Sequence, residues 1–457
     1  MIKQIESDQD TKKTKASLGV PTCTALVVGN MIGSGFFIAP SVLAPYGATA
    51  IIGWGVMALG AVCLGLTFAR LARIAPATGG PYAYTYMGFG RFAGFMIAWG
   101  YWISIWASLP AIAAALVGYL SKLFPVIRES GMGIAVGVGV LWLVTFINLK
   151  GVKEAGLFSA LTTYTKLIPF TAIGVFGLFW VDWNTFSTLN PSDKPFFSSL
   201  AAIAPLTMFA FLGIESATVP AGDVKDPTRT IPLATILGTL IASSVYILCT
   251  TTVLGVIPLE QLATSGAPFA DAAAVMWGEW AGTVIAWAAV ISSLGALNGW
   301  TLLCAQVPMA AARDGSMPGI FSRLSKRGVP AQGLVLSMSL ATALLLMEAS
   351  DSNTLVAFYT LIVNLSTDAA MIPYIFCCCV EAILFVRREV ISKTLRIGPF
   401  TPVAIVALTF SLGTIFGAGP TAGMWSLILI LLAAPVWVFI ANNSSLQPGN
   451  SIKNKEE

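Results

Sequence analysis

The sequence predicts an all-α polytopic membrane protein with twelve transmembrane helices. Three observations carry that reading. The 457 residues are 56% hydrophobic and only 10% charged, with a mean hydropathy of +0.82, whereas a soluble domain carries about 25% charged residues. Twelve apolar segments follow one another, at 18–44, 48–70, 92–120, 131–148, 155–180, 199–219, 231–256, 280–311, 332–348, 353–386, 401–417 and 421–441. Each is near or above the roughly 17–25 residues that cross a bilayer. The basic residues, finally, are distributed asymmetrically. Of 25 Lys and Arg, Lys122, Arg128 and Lys194 fall in odd-numbered loops, Lys166 lies inside a span, and the remaining 21 lie in the termini and even-numbered loops. The positive-inside rule then places both termini in the cytoplasm, so the net charge of +4 reflects topology and implies no nucleic-acid partner.

Taken in order, residues 1–17 read as a polar, disordered cytoplasmic tail without the apolar core and cleavage site of a signal peptide. Residues 18–180 hold spans one to five, residues 199–386 hold spans six to ten, residues 401–441 hold the last two, and 442–457 form a cytoplasmic tail. Gly33, Ser34 and Gly35 interrupt the first span near its middle, in the stretch GNMIGSGFF at 29–37. Glycine costs a helix about 1 kcal/mol relative to alanine. Backbone left unpaired at that depth is tolerated only where protein buries it or where it lines a wet cavity. A broken helix offers free N–H groups and a positive dipole end to an anionic group; the competing reading is that the glycines only let a neighbouring helix pack closely. Span six, in MFAFLGIESATV at 208–219, has a second small-residue interruption. Spans one and six start on opposite sides, so the pair points to inverted repeats around a midplane site. The loop at 77–90 is rich in glycine and tyrosine and reads as a re-entrant or amphipathic segment.

Charge inside the membrane is costly, on the order of 2.5–3.5 kcal/mol for Asp, Lys or Arg at a helix centre. Intramembrane ionisable residues are therefore functional candidates. Glu215 lies in the span-six interruption; it either serves function or ties the unwound segment together. Lys166 lies about twelve residues into span five, where it supplies a fixed positive charge or pairs with a carboxylate. Asp368 lies about 22 Å along span ten, near the midplane, and Asn364 precedes it by one helical turn, on the same face. Glu381 sits closer to the cytoplasmic end and is expected to pair with Arg387 or Arg388. Trp300, Phe209 and Tyr101 lie in core spans, where aromatic faces suit cationic or apolar groups. The chain has no histidine, which removes the usual proton relay, metal ligand and catalytic base. Its seven cysteines, Cys23, Cys63, Cys249, Cys304 and Cys377–Cys379, all fall in apolar spans and form neither a disulfide framework nor a metal spacing. No cofactor and no enzymatic activity are expected.

GNMIGSGFF, FLGIESA with the DVKDPTRTIP that follows it, the APFADAA stretch at 267–273 and LGALNGWTLL recur in order between about residues 18 and 440. In these motifs the chain resembles the amino acid–polyamine–organocation superfamily, and within it the basic amino acid/polyamine antiporters, arginine/agmatine exchangers included. That resemblance implies a LeuT-like five-plus-five inverted repeat with broken helices 1 and 6, often dimeric, in the bacterial inner membrane. It implies exchange of an external amino acid for an internal product. It further implies that the amides of Ser34 and Gly35 receive the substrate carboxylate, and that Met31, Phe209 and Leu212 offer carbonyls to the ammonium. Trp300 would pack on the substrate side chain, and Asn364 would line the site. Tyr101 would join Glu215 in a gating network, and Tyr82 would sit in an inner gate. Four positions depart from the arginine/agmatine pattern. Phe209 stands where that pattern has a tryptophan, Asn364 where it has a serine and Leu109 where an asparagine recognises the guanidinium, and Lys166 resembles the lysine of sodium-independent, proton-coupled members. The leading expectation is an amino acid/amine antiporter for cationic or neutral substrates. The alternative is a proton-coupled, sodium-independent symporter, followed by a receptor or assembly subunit that moves nothing.

Overall fold

A computed structural model describes residues 18–74, 80–128, 131–150, 168–218, 224–347, 355–386 and 402–445. Those residues are helical and connecting segments, in the order α1 (Val20–Met31), α2 (Ser34–Phe37), α3 (Ala39–Leu43), α4 (Ala48–Ile74), α5 (Pro81–Phe89), α6 (Arg91–Leu123) and α7 (Met132–Lys150). Then follow α8 (Ile168–Trp180), α9 (Phe196–Phe211), α10 (Pro227–Val256), α11 (Leu259–Leu262), α12 (Pro268–Trp277) and α13 (Glu279–Arg313). The chain ends with α14 (Ala331–Met347), α15 (Leu355–Val386), α16 (Pro402–Gly417), α17 (Gly419–Leu431) and α18 (Ala433–Ser445). Seven helical stretches are long and apolar enough to cross a membrane, and five further apolar helices are shorter. Each of these helices overlaps one of the apolar segments of the sequence. Lys166 lies outside the described residues, as do Arg387 and Arg388.

The centre of the bundle is α6. Its 33 residues make it about 50 Å long at 1.5 Å per residue, well beyond the roughly 30 Å of a hydrocarbon core. Nearly every side chain from Gly94 to Tyr119 is buried, so this helix meets protein all round and not lipid, as expected of a helix apolar on every face. Helices α13 and α15 pack along it, while α10 lies against α4 and α1. The connection after α3 turns at Gly47, whose φ of +51° requires glycine. A Cβ there would also fall 2.6 Å from Pro191, and Thr49 Oγ1 donates to the Leu189 carbonyl at 2.8 Å beside it. Within the glycine- and tyrosine-rich segment, the described part from residue 80 folds as α5, a helix with Pro81, Tyr82, Tyr84, Thr85 and Gly88 buried.

Ion pairs at helix ends tie elements of the described chain together. Arg70 Nη1 meets Glu381 Oε1 at 2.8 Å, so Glu381 bridges α15 to α4. Arg387 and Arg388, the partners expected from sequence, lie outside the described residues. Arg70 lies in the last turns of α4, which packs beside α15, so it reaches the carboxylate across the helix interface. Lys122 Nζ lies 3.1 Å from Asp271 and 3.7 Å from Glu279, which joins the end of α6 to α12 and α13.

Candidate functional site

The two interruptions expected from glycine placement are present and lie against each other. Helix α1 stops at Met31, where Ile32 turns away with ψ of 87° and its N–H bonds to the Val28 carbonyl. The chain passes Gly33 and resumes as α2. The N–H groups of Phe36 and Phe37 bond back to Gly33 O, whereas those of Ser34 and Gly35, at the head of the restart, have no carbonyl four residues back to use. In the other half α9 stops at Phe211, Leu212 is extended with ψ of 138°, and Gly213 takes φ of +98°. Tyr246 Oη donates to the Ala210 carbonyl at 2.8 Å, which satisfies one acceptor that the broken helix leaves without a partner.

Glycine spacing explains the close approach. A Cβ on Gly35 would lie 2.8 Å from Ala210 Cα and 2.9 Å from Phe209 Cδ1, so any side chain there would force the two broken helices apart. On Gly213 it would meet Asn30 Cβ at 3.1 Å, and on Gly33 it would meet Ala296 Cβ at 3.2 Å. Asn30 Nδ2 donates to Ser216 Oγ at 2.8 Å. This buried bond ties the end of α1 to the unwound segment after α9. The glycines therefore allow close packing, and the helix is interrupted where they lie.

Glu215 is fully buried within that unwound segment. Tyr101 Oη donates to its Oε1 and Tyr374 Oη to its Oε2. Among the described residues no cation pairs with it. The carboxyl thus joins α6, the α9 break and α15 through two phenol donors. Thr218 Oγ1 donates to the Glu215 carbonyl at 2.7 Å.

The aromatic candidates surround the break. Phe209, in the last turn of α9, is buried beside Gly35 and makes an edge contact with Tyr359 at 6.3 Å between centroids. Trp300, also buried, lies one turn after Ala296 on α13. Residues four apart share a helix face, and Ala296 abuts Gly33, so Trp300 is carried on the face turned to the break. Met31 ends α1 and Leu212 directly follows α9, so each stands where its helix gives way to the interrupted backbone. Leu109 is fully buried on α6 and leaves that position apolar. The backbone of Ser34 opens α2.

Tyr82 is placed away from these residues. Its Oη donates to Asp314 Oδ2 at 3.1 Å, just past the end of α13, and Arg91 Nη2 reaches the Gly315 carbonyl at 2.6 Å. Burial pushes the Tyr82 phenol up, so it remains a donor. Asn364 and Asp368 share a face, as their spacing requires, but that face is turned to α17. Asn364 Nδ2 donates to the Ala418 carbonyl at 3.4 Å, and Asp368 Oδ2 lies 3.8 Å from where a Cβ on Gly423 would sit. On this turn of α15 it is Thr367 that looks toward α9, through its bond to the Pro205 carbonyl at 3.2 Å.

Sequence reasoning missed Asn30, Ser216 and Tyr374. Asn30 had a readable signal, an amide inside a 27-residue apolar run. Tyr374 had none, because its role follows from a helix crossing. The cluster that covers α2 was also missed. Phe36 lies 4.6 Å from Phe269, 5.2 Å from Tyr246 and 5.4 Å from Phe170 between ring centroids. Tyr119 Oη donates to the Phe37 carbonyl at 2.9 Å. Gly118 passes so close to Gly266 that a Cβ there would lie 2.3 Å from its carbonyl oxygen.

Paired interrupted helices, a buried carboxyl clamped by two tyrosines and an envelope of long apolar helices define a polytopic membrane protein of the secondary-transporter class. The chain belongs to the amino acid permease family, whose model matches residues 18–450. It is 32% identical over 432 residues to the putrescine transporter PotE of Haemophilus influenzae, covering 94% of this chain and 98% of that one. The corresponding transporter of Escherichia coli K12 is 32% identical over 440 residues, with 96% and 98% covered. The cadaverine/lysine antiporter of Escherichia coli K12 is 34% identical over 376 residues, with 80% and 83% covered. The chain is accordingly a membrane transporter and not an enzyme.

Proposed function

We propose that this protein is a sodium-independent antiporter that exchanges a basic amino acid for its decarboxylated diamine across the bacterial inner membrane by alternating access. The single observation that carries the reading is the contact between the two interrupted helices, tied by Asn30 and Ser216 and completed by Glu215 with its two tyrosines. In this reading the twelve apolar helices form a five-plus-five inverted repeat with cytoplasmic termini. The amides of Ser34 and Gly35 take the carboxylate of the amino acid. The carbonyls around Met31, Phe209 and Leu212 take ammonium groups, and Trp300 closes over the substrate stem.

Similarity to carriers named for putrescine and for cadaverine and lysine supports a short diamine and its parent amino acid as the pair. Leu109 supports a primary ammonium over a guanidinium, since a planar fork with five donors would meet an apolar wall there. The aromatic cover over Phe36 and Phe37 corresponds to a state closed on the side of the 257–278 connection. Counterflow tests the proposal: proteoliposomes loaded with putrescine should take up labelled lysine or ornithine faster than empty ones, in sodium or choline buffer alike.

A proton-coupled symporter is the second reading. The buried carboxyls Glu215 and Asp368 favour it. It predicts uptake into empty liposomes driven by a proton gradient alone.

A further inference from the structure

Asp368 lies in the interior of α15, in the second half of the chain, about 100° round that helix from Thr367, which meets α9. Its side chain is 1% exposed, and neither carboxyl oxygen has a hydrogen-bond partner among the described residues. One turn earlier on the same face, Asn364 Oδ1 is likewise buried without a donor, while its Nδ2 is committed to Ala418. Three acceptor atoms therefore converge on one stripe of α15, opposite α17, with no donor supplied.

Among the described residues the elements packed around this stripe bring no charge, and α16, which also packs along α15, carries no ionisable side chain. Gly423 faces Asp368 from α17, and Ser426 on the same helix gives its hydroxyl to the Leu365 carbonyl. From α6, Gly100 lies against the Ala369 carbonyl, and Trp99 Nε1 donates to the Leu429 carbonyl. From α9, Pro205 offers only its carbonyl, which Thr367 takes. The ion pairs of Arg70 and Lys122 are made elsewhere. An ionised carboxylate in such a place would be an uncompensated buried charge, whose effective penalty is several kcal/mol. A carboxylic acid, by contrast, brings one O–H donor to a stripe that lacks donors, with Asn364 Oδ1 one turn away as an acceptor. Gly423 packs against Asp368 and no second charge lies beside it among the described residues, so a proton fits the site where the larger ammonium group does not.

From this we infer that Asp368 is a proton-binding site separate from the broken helices, and that it binds and releases one proton as α15 and α17 move during transport. The step transfers a proton from water to a carboxylate oxygen and back to water; no other bond changes. Protonated, the carboxyl lets the α15–α17 contact stay closed and dry. Deprotonated, it draws water between those helices, because a carboxylate is stable only when solvated or paired. The proton thereby becomes linked to the conformational cycle. The inference rests on the transport reading for its cycle, and on packing alone for the site.

Two measurements separate those dependences. Infrared difference spectra of the purified full chain, recorded between neutral and alkaline pH, require no substrate. Wild type should give the carbonyl-stretch band of a buried carboxylic acid at neutral pH, Asp368→Asn should lack it, and Asp368→Glu should restore it; Asp182→Asn, at a surface position, should leave it unchanged. Absence of the band, or its persistence in Asp368→Asn, overturns the site even if amine transport is found. In proteoliposomes loaded with lysine, an inward gradient of about one pH unit should raise the putrescine accumulated by exchange by up to about tenfold, the limit for one coupled proton. Asp368→Asn should lose that response, and Asp368→Glu should keep it. A band together with an unaltered gradient response in Asp368→Asn would make the residue a fixed structural acid and overturn its part in the cycle. If wild type carries no amine, amino acid or proton current, the transport reading falls with the cycle, and the infrared result still decides the site.

Discussion

Glu215 and Trp300 carry the sharpest expectations among single residues. Two phenols donate to the Glu215 carboxyl. In Glu215→Gln one of those tyrosines faces an amide N–H₂ instead of an acceptor, so the clamp opens on one side. We expect the variant to fold, because a buried hydrogen bond is worth on the order of 1 kcal/mol net, but to lose most of the pH dependence of exchange. Initial rates across a pH series check this, and an unchanged profile would assign Glu215 to structure alone. Trp300→Ala removes the plate turned toward the break. Dispersion and a cation–π contribution of about 0.5–2 kcal/mol leave with it, so exchange should fall by roughly tenfold or more while size-exclusion behaviour stays that of wild type.

At the scale of elements, the break and its partner were legible because glycine, serine and a lone carboxylate stand out against apolar runs. GNMIGSGFF and FLGIESA marked both interruptions to within a few residues. The orientation of Asn364 and Asp368 was not legible. Spacing gives a shared face, but which neighbour that face meets depends on how α15 is rotated between α9 and α17, and no local pattern encodes this. The same holds for Arg70 and Glu381, which are far apart in sequence and joined only by helix packing. Gly35 is the element-level test. Its Cβ position overlaps Ala210 and Phe209, so Gly35→Ala must separate α2 from α9. Overpacking of this sort costs typically 1–3 kcal/mol. The variant should lower the melting temperature of the detergent-solubilised protein and abolish exchange, whereas Gly413→Ala, in open space on α16, should do neither. Asn30→Ala should cost about 1–3 kcal/mol by the same readout, since it strips Ser216 Oγ of its buried donor.

For the whole molecule, composition sufficed to place the chain in a membrane, and the basic-residue asymmetry sufficed to propose its orientation. Pairing of the two interruptions rested on their pattern alone, because the halves show no obvious residue repeat; that the two breaks touch through Gly35 and Asn30 needed the fold. The central claim is that substrates on opposite sides exchange through the contact between α1–α2 and α9. Counterflow into putrescine-loaded proteoliposomes tests it most directly, with labelled lysine or ornithine outside and with wild type beside Gly35→Ala. The account predicts uptake several-fold above that of empty liposomes for wild type, equal in sodium and choline buffers, and none for Gly35→Ala. Equal uptake by loaded and empty liposomes, or undiminished exchange by Gly35→Ala, would contradict it.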